Sequence, residues 1–107
     1  TEADSTFSRM TELFPDHYLG YLMRARANFA LDLQAEKGLA VPFYTKALEI
    51  MLPDLDKRKN DILESYRYLG FYQLGKNDVK QAKYFWHKVL EYEPTDETAL
   101  QVINNLK

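Results

Sequence analysis

Ala82, Trp86 and Pro94 stand at the same mutual spacing as Ala3, Phe7 and Pro15, which lie 79 residues earlier. A small residue and an aromatic four apart share one face of a helix, and a following proline stops that helix, so the same element is written twice. Other offsets agree with this. Tyr21 and Ala25 precede Tyr66 and Gly70 by 45 residues, Ala40 and Tyr44 precede Ala82 and Trp86 by 42, and Leu100 and Ile103 follow Tyr66 and Leu69 by 34. A chain that repeats itself at a period of this size stacks similar units side by side. The difference between the offsets of 45 and 42 places 3 extra residues in one hairpin loop, around "DLQAEKG".

The units are helical. Apolar residues recur three and four apart, as in Tyr66, Leu69 and Tyr72 or Ala82, Phe85, Trp86, Val89 and Leu90, and no segment alternates with period two. Pro15 and Pro53 are followed by aspartate, and Pro94 by Thr95 and Asp96, the pattern of a helix stop leading into an N-cap. The expected helices are 2–14, 16–33, 37–52, 55–75, 78–92 and 96–106. "GKND" reads as an αα-hairpin connection, with Gly75 as the residue just past one helix, Asp78 as the N-cap of the next and Gln81 completing the capping pair. The fold class expected is therefore all-α, and 107 residues suffice for a single domain.

Residues 63–96, "LESYRYLGFYQLGKNDVKQAKYFWHKVLEYEPTD", resemble a tetratricopeptide repeat: an aromatic, Leu-Gly, then Ala, an aromatic and Pro, here Tyr66, Leu69, Gly70, Ala82, Trp86 and Pro94. The resemblance implies a right-handed α-α superhelix of about six helices. Residues 1–15 would be the second helix of a truncated repeat, 16–53 a repeat with a longer hairpin loop, 54–96 a repeat with an extended first helix, and 97–107 a closing helix. The extension follows from about seven residues between Pro53 and Leu63 beyond what the pattern needs, roughly two helical turns. Arg24 stands in the slot that Leu69 fills, Asn104 in that of Gly70, and Asn28 and Gln73 where the pattern has tyrosine. A glycine in mid-helix costs about 0.8–1 kcal/mol against alanine, so Gly70 marks a close approach that a Cβ would obstruct.

A helical wheel separates the helix around Tyr66 into three stripes: Tyr66, Leu69, Gly70 and Gln73; Glu64, Arg67, Phe71 and Leu74; Tyr68 and Tyr72. By the resemblance, the first packs inside the hairpin, the third meets neighbouring repeats, and the second faces a concave groove. Transferred by offset, that groove gains Leu22, Arg26 and Phe29, so its expected residues are Leu22, Arg26, Phe29, Arg67, Phe71 and Leu74. Some relatives clamp a peptide's terminal carboxylate, but the matching slots here hold Leu22, Arg26, Tyr68, Thr98 and Val102, of which only Arg26 can bond one. An apolar groove suits an extended or helical peptide with hydrophobic anchors.

Other chemistries find little support. His17 and His87 stand apart, no catalytic or nucleotide-binding motif occurs, and Lys57, Arg58 and Lys59 oppose a cation site at Asp54, Asp56 and Asp61. No cofactor is implied. A net charge of −2 argues against nucleic acid, the absence of cysteine excludes disulfides and thiolate metal sites, and no apolar run is long enough to span a bilayer. The expectation is a non-enzymatic scaffold that binds a protein or peptide. The alternative is an accessory or regulatory repeat domain of an enzyme or receptor elsewhere in the same chain. Ala3, Phe7 and Met10, lacking a partner helix, would expose an apolar end suited to self-association.

Overall fold

The computed structural model describes residues 18–106. The expected helix 2–14, and with it self-association through Ala3, Phe7 and Met10, lies outside them. Among the described residues there are five α-helices and no strand: α1 (Tyr18–Ala30), α2 (Val41–Met51), α3 (Leu55–Gly75), α4 (Val79–Tyr92) and α5 (Glu97–Asn105), with a 3₁₀ turn at Leu52–Asp54. Each helix packs on the next, α1 on α2, α2 on α3, α3 on α4 and α4 on α5, which is a helical-repeat arrangement. One continuous core runs through the stack, from Leu22 and Ala25 through Tyr44, Met51, Ile62 and Tyr66 to Trp86, Val89 and Ala99. No described helix is long and apolar enough to cross a membrane.

The expected boundaries hold within a residue for the last three helices. The α1–α2 junction differs, since α1 ends at Ala30 rather than 33 and α2 begins at Val41 rather than 37. The cause is a loop with its own hydrogen bonding. The Asp32 carboxylate, itself only 9% exposed, accepts the backbone N–H groups of Glu36, Lys37 and Gly38 at 3.1, 3.1 and 2.9 Å. A carboxylate that takes up several amides offers the backbone an alternative to helix. Gly38 adopts φ +67° with the Tyr72 ring packed beneath it.

The α3–α4 junction corrects one assignment. Gly75 is the last residue of α3, and Asn77, at φ +58°, is the left-handed residue that ends it. The Asn77 and Asp78 N–H groups close on the Leu74 and Gln73 carbonyls at 3.1 and 3.0 Å. Asp78 then caps α4, its side chain accepting the Gln81 N–H at 3.0 Å. Because Gly75 is helical and a Cβ there would meet nothing within 4 Å, Gly75→Ala should stabilise the domain by about 0.5–1 kcal/mol. Equilibrium denaturation measures this, and a loss of stability would refute the assignment.

The atypical slots find local solutions. The Arg24 guanidinium lies over the Phe43 ring, 4.3 Å from its centroid, so its stem covers apolar surface where a leucine would. Asn28 donates to the Arg24 carbonyl at 2.8 Å. Within the 21-residue α3, Arg58 departs from helical geometry at φ −118° and ψ 17°, so the first turn is kinked from the rest, and its guanidinium lies over the Tyr18 ring.

A candidate partner-binding pocket

Gly70 sets the depth of this site. A Cβ built on it would lie 2.6 Å from Trp86 Nε1 and 2.9 Å from Cδ1 and Cε2, so the indole occupies the space that the missing side chain leaves. Helices α3 and α4 thereby approach closely, and Trp86, only 4% exposed, is held between them. Tyr66, on the same stripe, stacks on Tyr92 with centroids 6.0 Å apart. Burial, then the neighbouring Tyr92, raises its hydroxyl pKa to about 12.

Turned away from that seam, the second stripe of α3 lines a pocket of about 450 Å³. Glu64, Arg67, Phe71 and Leu74 all take part. Phe29 reaches it from α1, Tyr44 from α2, Trp86 from α4, and Thr98 and Val102 from α5, with Tyr68 among them. Tyr68 holds the wall together: its ring packs edge-on against Phe29 at 5.2 Å and tilted against Tyr44 at 4.7 Å. The third stripe thus meets the preceding hairpin, as expected. The lining is overwhelmingly apolar, and Phe71 remains 40% exposed at the mouth.

The two charged groups that line the pocket, Glu64 and Arg67, each belong to a hydrogen-bonded network, whereas the buried Trp86 Nε1 has no hydrogen-bond partner among the described residues. Glu64 receives a fork from Arg26, Nε to Oε2 at 3.0 Å and Nη2 to Oε1 at 2.6 Å, and its Oε2 also accepts the Tyr44 hydroxyl at 2.8 Å. Burial of the ring, followed by the nearby Glu64 charge, raises the Tyr44 pKa and keeps the hydroxyl a donor. On the other side, Arg67 Nη2 donates to Asp96 Oδ2, while Asp96 Oδ1 accepts the Ala99 N–H at 2.9 Å and caps α5. Burial disfavours the Asp96 anion, yet the Ala99 amide and Arg67 outweigh it and hold the carboxyl below its ordinary range.

Of the residues expected to line a groove, Phe29, Arg67, Phe71 and Leu74 come together. Leu22 does not: at 0% exposure it belongs to the core, because an apolar side chain in the slot matching Arg67 has no polar tip to keep at the surface. Arg26 lies one step outside the lining and acts on it through Glu64. Tyr44 and Trp86 lie outside both sequence arguments, whereas Tyr68, Thr98 and Val102 lie off the expected groove stripe but occupy slots matched to the carboxylate clamp. Thr98 was within reach, since it follows Glu64 by the same 34 residues that relate Leu100 to Tyr66. Among the described residues no group of histidines and carboxylates is placed to hold a metal ion.

Five helices stacked in order, with Gly70 and Trp86 closing the seam between α3 and α4, define an all-α helical-repeat fold of the tetratricopeptide kind. The chain is similar to the C-terminal part of a TPR repeat-containing protein from Cytophaga hutchinsonii, with a TM-score of 0.90 and 38% identity. The match covers 94% of this chain and 39% of that one, so the present sequence spans well under half of the relative's length. No protein-family model and no curated protein matches.

Proposed function

We propose that this chain is a non-enzymatic interaction scaffold that binds a protein or peptide partner through an apolar anchor seated in the pocket at Phe71. The observation that supports this most is convergence: five helices each supply a side chain to one apolar concavity with a large aromatic left half-open at its mouth. Its volume of about 450 Å³ lies within the ~300–1,000 Å³ usual for binding clefts. Fully buried Tyr44 and nearly buried Tyr68 and Trp86 give it a rigid floor, so little side-chain entropy is lost on binding. The likeness to a TPR repeat-containing protein fits a protein-binding role. We further propose the repeat division of 16–53 and 54–96 with 97–107 as the closing helix, because it pairs α1 with α2 and α3 with α4.

Phe71→Ser tests the reading, since 40% exposure lets the residue change with a stability loss within about 1 kcal/mol. Affinity capture with the wild-type chain should retain partners that the variant loses, at unchanged melting temperature. If both retain the same proteins, or if the variant unfolds, the pocket is not the binding site.

A further inference from the structure

We infer that the partner carries a carboxylate beside its apolar anchor, and that Arg67 is the residue that selects it; this rests on the scaffold reading above. Two ionic groups line the pocket, and they differ in what they have left to offer. Glu64 already accepts three donors, two from Arg26 and one from Tyr44, which nearly exhausts a carboxylate's capacity of about four. Arg67 has spent only Nη2, on Asp96, and among the described residues no other group meets its remaining N–H donors. Its side chain is 42% exposed, at a pocket that Phe71 lines as well.

The free capacity at an apolar pocket is thus that of a donor. The Thr98 hydroxyl, also in the lining, adds a second polar group. Asp96 is the opposing charge, but its two oxygens are engaged by Arg67 and by the amide that begins α5. A guanidinium with an open edge pairs with a carboxylate through two parallel bonds, which a backbone carbonyl or an amide cannot match. The ligand that fills both features is a peptide segment with an aromatic or aliphatic side chain followed by aspartate or glutamate.

The chain's single tryptophan, Trp86, lines the pocket and serves as the reporter. Blocked twelve-residue peptides with one central phenylalanine, followed by Asp, Asn or Lys, are titrated while Trp86 fluorescence is read. The Asp peptide should bind about tenfold more tightly than the Asn peptide, equivalent to ~1.4 kcal/mol, with the Lys peptide weakest and the gap narrowing as salt rises. Arg67→Gln should bring the Asp and Asn peptides level, and Arg67→Lys should restore part of the difference. A thermal melt establishes that the variants fold, and the comparison on the wild-type chain stands without them. Equal binding of Asp and Asn peptides would overturn the role of Arg67 while leaving the pocket as a binding site. Binding by none of the peptides would overturn both, as would binding of dodecanoate alone, which would make the pocket a site for free amphiphiles.

Discussion

Gly70→Leu should unfold most of the domain's margin, costing at least ~3 kcal/mol and lowering the melting temperature by roughly 12 °C or more. The added side chain must displace an indole whose nearest atom stands 2.6 Å from the would-be Cβ, and Trp86, at 4% exposure, can yield only by leaving its packed place in the seam for the pocket it lines. The smaller Gly70→Ala separates two opposed effects. Helix propensity would favour alanine by about 0.8–1 kcal/mol, while the clash costs about 1–3 kcal/mol. The clash should win, because the contacting atoms belong to a buried ring rather than the end of a flexible chain. Trp86→Phe should recover part of the loss in a double-mutant cycle. A Gly70→Ala protein as stable as wild type would show that the indole does not hold the seam.

The second large effect concerns Glu64. Its replacement by alanine should cost about 2–3 kcal/mol, because the Tyr44 hydroxyl, on a side chain only 1% exposed, loses its acceptor at 2.8 Å. Arg26 contributes less, since it is 41% exposed and keeps Asp61 at 3.4 Å. Removing both members of the buried bond is milder than removing one. Tyr44→Phe in the Glu64→Ala background should therefore regain about 1 kcal/mol in urea denaturation. No gain from the second change would mean that Tyr44 finds another partner and that Glu64 is not the hub of the pocket wall.

These two residues also show what can be read from the chain before its structure. Gly70 was legible because glycine is costly in mid-helix, and the repeat pattern that contains it also holds Trp86 in the following helix. The groove stripe of α3 was legible because 100° per residue sorts side chains reliably along a regular helix. The same transfer failed at Leu22, since an offset fixes backbone position but not whether the side chain there stays buried or snorkels. Glu64 was placed on the correct face, but its bonds to Arg26 and Tyr44 span 38 and 20 residues, and no local pattern encodes a pairing of that kind. The loop at "DLQAEKG" was located by the repeat offsets, but its full extent, 31–40, was not. Offsets count the extra residues but do not show the capture of amides by the Asp32 carboxylate or the left-handed backbone at Ala35 and Gly38, which together keep both helices from extending into it.

That loop bears on how the repeats could have diverged. Several amides converge on the Asp32 side chain, and Lys76 from the following hairpin donates to the Glu36 carbonyl at 3.1 Å. Trimming it by a single residue would pull some of those amides off the carboxylate, whereas exchanging the whole segment for a three-residue connection like 76–78 removes the amides with their acceptor and leaves only the exposed Lys76 to bond water instead. Length variation at this position should therefore run in whole-loop steps, with Asp32 and Gly38 gained or lost together.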